Sequence, residues 1–195
     1  DVLFVAGGLL YKKPIFSSFY SNCGDSAIKS IEFNKTFFSY LDKSTLKKIN
    51  YLSYPIKKIS TLGIIKKEMF YDTKGLLQVK GSARKLMPKS RLVIIDYVST
   101  SFIESIASDI PTIVFFDPNI KRLNKESINF FNSLIRSEIF QTNPKNAALH
   151  LKKIINNPEK WWNSMQVQKA KKDFLVENLN LDKLTNIILE INNNS

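Results

Sequence analysis

The stretch that decides the fold is SRLVIIDYVSTSFIESIASDIPTIVFFDP, residues 90–118. Within it, residues 92–95 form a continuous apolar run, as expected for a strand of a parallel sheet that is covered on both faces. Residues 99–108 have the spacing of a helix, and residues 111–116 read as a second buried strand. A strand, a helix and a strand joined by short loops form a βαβ unit with parallel pairing and a right-handed crossover. The stretch therefore predicts an α/β fold.

The flanking sequence extends this pattern in both directions. Upstream, the pattern predicts strands at residues 2–6, 49–54 and more weakly 59–65, with helices at 22–41 and 82–87. Downstream, it predicts a short strand at 139–141 and helices at 124–136, after Asn143-Pro144, after Asn157-Pro158, at 165–178 and at 181–191. We predict a Rossmann-like parallel sheet flanked by helices, with residues 1–160 as one domain. Residues 161–195 are expected to pack on it as extra C-terminal helices.

The composition excludes several classes of protein. The 195 residues are 44% hydrophobic, which is enough for the core of one domain, and no apolar run is long enough to cross a bilayer. The single cysteine, Cys23, excludes an internal disulfide, and the single histidine, His150, excludes an HExxH zinc site. We interpret His150 as a surface residue of an amphipathic helix. The sequence opens on a strand without an initiator Met or signal peptide, so we expect the natural protein to extend before Asp1.

Positive charge is concentrated in one part of the chain. The net charge is +12, and residues 42–90 alone carry +9. Such an excess favours anionic partners such as phosphorylated donors, lipid headgroups or nucleic acid, although solvated surface lysines explain it equally well. Nucleic acid is the least favoured partner, because no recognition-helix or RNP-like motif is present. Lys169, Lys171 and Lys172 leave a peripheral contact with a membrane surface open.

Polar residues gather where the decisive strand ends. Asp96 follows the strand, and Ser99, Thr100 and Ser101 follow as the helix begins. In open α/β sheets ligands bind beyond the carboxyl ends of the strands, and a helix N-terminus binds phosphate through its unpaired N–H groups. Glu104, one turn into the helix, can accept hydrogen bonds from a ribose or sugar hydroxyl. A purely structural alternative is a capping box formed by Ser101 and Glu104.

These residues carry a resemblance to a known family. The run from Asp96 to Ala107, then Ile110-Pro111-Thr112 and Phe115-Phe116-Asp117-Pro118, resembles the motif of GT-B type surface-carbohydrate transferases. CDP-glycerol glycerophosphotransferases and capsule or lipopolysaccharide glycosyltransferases are more distantly similar. The resemblance is good over residues 82–175, where Glu159-Lys160-Trp161-Trp162 matches a Trp-Trp element, and thin over residues 1–80. Leu52-Ser53-Tyr54-Pro55 and Tyr97-Val98 depart from it, because relatives often carry Arg, His or other polar residues there.

The resemblance implies a GT-B fold, in which two Rossmann-like halves face each other across a cleft. This chain would be the half that binds the donor nucleotide, with the donor phosphates at Ser99, Thr100 and Ser101. The ribose or the transferred group would lie near Glu104, and Gly7 and Gly8, after the first strand of this half, would line the cleft floor. The expected donor is a nucleotide sugar or a CDP-alditol. The expected acceptor is a surface glycan, bound by an N-terminal half outside this sequence.

The implied function is transfer of a glycosyl or alditol-phosphate group in cell-surface polysaccharide biosynthesis. It places the protein in the cytoplasm, with a peripheral position at the inner face of the membrane left open. The alternative is a non-catalytic Rossmann module that binds a nucleotide or a partner. An epimerase of similar fold is a third interpretation, but the acidic and histidine side chains that such enzymes use cannot be placed in this sequence.

The catalytic groups are less well marked than the donor site. No Asp-x-Asp triplet is present, so we expect no metal and no cofactor beyond the donor, and we name no catalytic base. Gly-x-Gly-x-x-Gly and P-loop patterns are also absent. Four cations could stabilise the leaving phosphate or be plain surface charges, namely Lys12, Lys13, Lys80 and Arg84. For Trp161-Trp162 we favour packing of the C-terminal helices over stacking on an acceptor.

Overall fold

The computed structural model describes residues 1–7, 23–53, 76–115, 117 and 125–179. Within these residues the strands are β1 (Val2–Val5), β2 (Ile49–Leu52), β3 (Leu77–Val79), β4 (Leu92–Ile95), β5 (Thr112–Phe115) and β6 (Phe140–Gln141). The helices are α1 (Cys23–Ser39), α2 (Lys43–Leu46), α3 (Ala83–Leu86), α4 (Thr100–Ala107), α5 (Lys125–Arg136), α6 (Pro144–Ile154), α7 (Pro158–Trp162) and α8 (Met165–Leu179). A 3-10 turn, Met87–Lys89, follows α3.

The strands form one parallel sheet in the order β3-β2-β1-β4-β5-β6. The chain builds outward from β1 to β3, returns to the centre, and then builds the other way from β4 to β6. This is the strand order of the Rossmann fold, and it reverses between β1 and β4. The predicted Rossmann-like α/β class is therefore confirmed.

Helices cover both faces of the sheet, which explains why every residue of β1, β4 and β5 is buried. On one face, α1 and α6 pack on a cluster of aromatic rings centred on Phe4. Its ring lies 5.0 Å from that of Phe38 and 5.2 Å from that of Tyr51. On the other face, α4, α5 and α8 pack on Val93 and Ile95. The two faces of β4 thus contact different sets of helices.

Two of the predicted helix starts are confirmed in atomic detail. The Asn143 side chain accepts a hydrogen bond from the Asn146 N–H at 3.1 Å, at the start of α6. The Asn157 side chain accepts one from the Lys160 N–H at 3.2 Å, at the start of α7. In both helices proline follows the cap, where its missing N–H costs nothing.

The tryptophan pair anchors the C-terminal helices, so the packing interpretation is confirmed. Trp162 is buried, and its Nε1 donates to the Asp109 carbonyl oxygen at 3.2 Å and to Asp109 Oδ1 at 2.7 Å. Trp161 Nε1 donates to the Ser137 carbonyl oxygen at 3.2 Å. Lys171 is also buried, donates to Asp109, and lies 5.0 Å from the Trp162 ring. Lys171 is therefore packed against the core, with little of its side chain exposed to solvent.

Several predictions differ from the structure. His150 is not a surface residue: it is 4% exposed, and its ring lies 4.8 Å from that of Trp161. The sequence pattern also missed α2 and the edge strand β3. The predicted strand at 59–65 and the helix at 181–191 lie outside the described residues. In the parts of the chain that the structure describes, no helix combines the length and apolarity needed to cross a membrane.

Candidate functional site

The candidate site lies where the carboxyl ends of β1 and β4 meet. Val5 of β1 pairs with Ile95 of β4. Gly7 follows β1 and Asp96 follows β4, and the Gly7 N–H donates a hydrogen bond to Asp96 Oδ1. The strand order reverses at this point, and such reversals are where open α/β sheets bind ligands. The structure therefore brings Gly7 and Asp96 together at this edge of the sheet, while Gly8 lies outside the described residues.

Gly7 leaves no room for a side chain. A Cβ atom on this residue would lie 2.9 Å from Tyr97 Cβ and 3.0 Å from Asp96 Oδ1. Both distances are well inside van der Waals contact, and Tyr97 Cβ is fixed to its own main chain. The end of β1 can approach the start of the β4–α4 connection this closely only because residue 7 is glycine.

The Asp96 carboxylate has a second partner on α1. Asn34 Nδ2 donates to Asp96 Oδ2 at 2.7 Å, and Asn34 is only 3% exposed. One carboxylate thus joins the ends of two strands to a helix on one face of the sheet. The prediction missed Asn34 as a partner of the site. The available signal was a polar residue on the apolar side of the helix predicted at 22–41.

Tyr51 of β2 lies within electrostatic range of the same carboxylate. Burial raises the pKa of the Tyr51 phenol far above its usual range, and the Asp96 carboxylate adds to the rise. The ring is stacked on Phe4. Tyr51 therefore stays protonated at physiological pH.

The start of α4 collects hydroxyl groups and free amides. Ser99 is the N-cap in an extended conformation, and its carbonyl accepts from the Phe102 N–H at 3.0 Å. The Ser99 hydroxyl makes no capping bond, Thr100 is exposed, and Ser101 is half-buried. The N–H groups of Thr100 and Ser101, which come before that of Phe102, have no acceptor within the helix. The capping-box interpretation is wrong, because Ser101 is the second residue of the helix and Glu104 pairs elsewhere.

Glu104 is paired with a cation from α3. Arg84 Nη2 lies 2.6 Å from Glu104 Oε1, with the Arg84 side chain 82% exposed. Glu104 lies one helical turn after Thr100, so both residues are on the same face of α4. The ion pair therefore lies beside the hydroxyl cluster. Of the other predicted cations, Lys80 follows β3 and is exposed, whereas Lys12 and Lys13 lie outside the described residues.

Other parts of the surface offer little chemistry of this kind. Among the residues that the structure describes, no three His, Cys, Asp or Glu side chains are grouped closely enough to share a metal ion. A cleft of about 240 Å³ lies at the opposite, amino edge of the sheet, lined by residues that include Lys48, Arg91 and Asn156. It contains none of the predicted site residues. Lys48 and Arg91 are already hydrogen-bonded there, to Asn156 and Glu159 respectively.

Comparison with known proteins gives one match. The sequence profile of the LIC12162 family transferases matches residues 1–185. This range includes all six strands and every residue predicted for the donor site. No curated protein and no solved structure matches the chain significantly.

Proposed function

The chain belongs to the LIC12162 family of transferases, and we propose that it is the donor-binding half of a GT-B type enzyme. The transferred group is a glycosyl or alditol-phosphate group, and the donor is a nucleotide sugar or a CDP-alditol. The acceptor is a growing cell-surface polysaccharide. The membership supports the transferase activity, and the parallel sheet supports a nucleotide-binding half.

One observation carries the proposal. Ser99, Thr100 and Ser101 stand at the start of α4, next to the reversal of strand order between β1 and β4. The helix start supplies amide donors and about half a positive charge, and the hydroxyls add further donors without bulk. The Ser99 hydroxyl is not used for capping. A diphosphate placed here would therefore meet several donors at the point where Rossmann-like sheets hold nucleotides.

The chemistry follows from what such a site stabilises. An acceptor hydroxyl oxygen attacks the anomeric carbon of a nucleotide sugar, or the phosphorus of a CDP-alditol. The new bond to the acceptor oxygen forms as the bond from that centre to the departing phosphate oxygen breaks. The acceptor proton passes to a base, and the nucleoside phosphate leaves with the electron pair. Charge that develops on this oxygen is stabilised by fixed amides, hydroxyls and a nearby guanidinium such as that of Arg84.

In this proposal, residues 1–195 supply neither the acceptor site nor the general base. In a GT-B arrangement they belong to a facing Rossmann-like half, which we propose lies outside residues 1–195. We place the enzyme in the cytoplasm, peripheral to the inner face of the membrane, where surface-glycan precursors are assembled. Exposed lysines of α8, Lys169 and Lys172, support an electrostatic contact with anionic lipid.

Nucleotide binding tests the site directly. We expect the chain to bind CDP or UDP, measured by isothermal titration calorimetry. The double variant Ser99→Ala/Thr100→Ala should weaken this binding about tenfold or more, because it removes two hydroxyl donors to a charged phosphate. Undiminished affinity in the double variant would rule out this position for the donor.

The chain offers a matched control for this variant. Thr36→Ala/Ser39→Ala removes the same two kinds of hydroxyl from exposed positions near the end of α1, where they bond only to the helix backbone. It should leave the affinity unchanged. Complementation of a surface-glycan mutant by the full-length gene then separates a transferase from a module that only binds nucleotide. Loss of complementation with Ser99→Ala/Thr100→Ala is expected for the transferase.

A further inference from the structure

Asn34 is an amide that the proposed chemistry does not use. It lies on α1 between the aromatic residues of the core and is 3% exposed. A buried amide costs free energy unless it is hydrogen-bonded. Its Nδ2 finds that bond 62 residues away, on Asp96 Oδ2 at 2.7 Å. The side chain therefore has a specific polar partner rather than a general packing role.

The bond from Asn34 determines how the Asp96 carboxylate is oriented. With Oδ2 held by the amide, Oδ1 is directed at the Gly7 N–H, which donates to it. The same carboxylate begins the connection from β4 to α4, since Ser99 follows three residues later. Hydrogen bonds to a carboxylate are shorter and stronger than those between neutral groups. The turn after β1 and the approach to α4 are thus joined through one group.

We infer that Asn34 is a positioning residue of the donor site. It holds the Asp96 carboxylate in the orientation that fixes Gly7 against Tyr97 and the start of α4. Asn34 itself does not contact the donor. The consequence for donor affinity rests on the proposed function, whereas the consequence for Gly7 can be measured without any ligand.

A reciprocal exchange of the two side chains tests this inference. Asn34→Asp places two carboxylates face to face, so that neither can donate to the other. Asp96→Asn is the milder change, because the Asn34 amide can turn over and accept from the new amide at position 96, whose oxygen still accepts from the Gly7 N–H. In the double variant Asn34→Asp/Asp96→Asn, the amide at position 96 donates to the carboxylate at position 34. Its carbonyl oxygen still accepts from the Gly7 N–H. The double variant therefore restores the hydrogen-bonding pattern that Asn34→Asp disrupts.

Two measurements report the result. In the free protein, Asn34→Asp should raise the hydrogen-exchange rate of the Gly7 amide, followed by NMR, by about tenfold or more. It should also weaken CDP or UDP binding by about tenfold, whereas Asp96→Asn should change both quantities less. The double variant should return both quantities to within about threefold of the wild type, because interaction energies of contacting pairs appear as non-additivity. Recovery of Gly7 protection and of nucleotide affinity when the two side chains are swapped is not expected from a residue that only fills space in the core.

Leu41→Ala is the matched control, because it removes buried packing near the end of α1 without touching either hydrogen bond. It should leave Gly7 exchange and nucleotide affinity within about threefold of wild type under conditions where the protein stays folded. If Asn34→Asp does not fold, Asn34→Ala removes the same donor and should show the same Gly7 exposure.

Unchanged Gly7 hydrogen exchange in Asn34→Asp, or a folded double variant that recovers neither quantity, would overturn the inference. If the wild type binds neither CDP nor UDP, the proposed function fails. The exchange rate of the Gly7 amide still decides whether Asn34 positions the turn.

Discussion

Substitution of Gly7 by alanine tests the close approach on which the site is built. The added Cβ would lie 2.9 Å from Tyr97 Cβ and 3.0 Å from Asp96 Oδ1, so the end of β1 must move away. Overpacking of this kind costs about 1–3 kcal/mol. The movement also breaks the bond from the Gly7 N–H to a carboxylate, for a further loss of about 1.5–3 kcal/mol.

Two effects reduce the simple sum for Gly7→Ala. Alanine restricts the unfolded chain, which returns about 0.4–1 kcal/mol. The clash and the hydrogen bond involve the same contact, so their costs do not add in full. We therefore expect Gly7→Ala to lower the free energy of unfolding by about 2–4 kcal/mol.

The assay is urea unfolding, followed by the fluorescence of Trp161 and Trp162. Ser108→Ala, at an exposed position after α4, serves as the control and should change the free energy of unfolding by less than about 0.5 kcal/mol. A loss of less than about 0.5 kcal/mol for Gly7→Ala as well would refute the reasoning. It would mean that the turn after β1 can leave Asp96 and Tyr97 without cost.

Two further predictions concern residues outside the site. Burial holds the pKa of His150 below its usual value, although Glu138 Oε1, 3.4 Å from Nδ1, opposes this and Lys153 reinforces it. The folded chain therefore binds fewer protons than the unfolded chain below about pH 6.5. The free energy of unfolding should fall as the pH drops through this range. His150→Phe should flatten that pH dependence, measured by urea titrations at pH 5–8. An unchanged pH dependence in the variant would exclude His150 as the cause. Lys171→Met should lower the free energy of unfolding by about 1–2 kcal/mol, because it removes an ion pair with Asp109 in which the lysine is buried and the carboxylate exposed. Lys169→Met breaks a pair with Asp173 whose lysine is exposed, and it should cost less than about 0.5 kcal/mol. Equal losses in thermal or urea unfolding would show that burial of Lys171 adds nothing.

The sequence predicted those elements whose residues are all buried or whose ends carry a specific cap. β4 is a continuous apolar run and β5 is apolar after Thr112, and both were identified to within one or two residues. The starts of α6 and α7 were identified because asparagine followed by proline satisfies a helix start from within the same few residues. β3 was missed because it is a short edge strand with Leu77 exposed, so it has neither an apolar run nor alternation. Its pairing with β2 is a property of the sheet rather than of its own residues.

His150 shows why burial was harder to predict than helix formation. The helical spacing around it was correct, but two lysines follow it closely and suggested a solvent-facing stretch. The ring is instead covered by Trp161, which belongs to the next helix along the chain. Burial of one position on an amphipathic helix depends on which element packs against it, and this contact is tertiary. Asn34 was missed for the same reason, because an amide on an apolar face has many candidate partners.

At the site, the Asp96 carboxylate and the hydroxyl cluster of α4 are held by helices on different faces of the sheet. Both oxygens of Asp96 accept hydrogen bonds, one of them from Asn34 on α1, whereas the hydroxyl cluster begins α4 on the opposite face. An unscreened carboxylate next to a diphosphate would repel it, because like charges at short range are unfavourable. The hydrogen bonds donated by Gly7 and Asn34 partly offset the negative charge of Asp96, and the bond from Asn34 holds one carboxylate oxygen toward α1. We therefore predict that Asp96 acts on the donor through the geometry of Gly7 and α4, while the amides and hydroxyls of α4 make the contacts with phosphate.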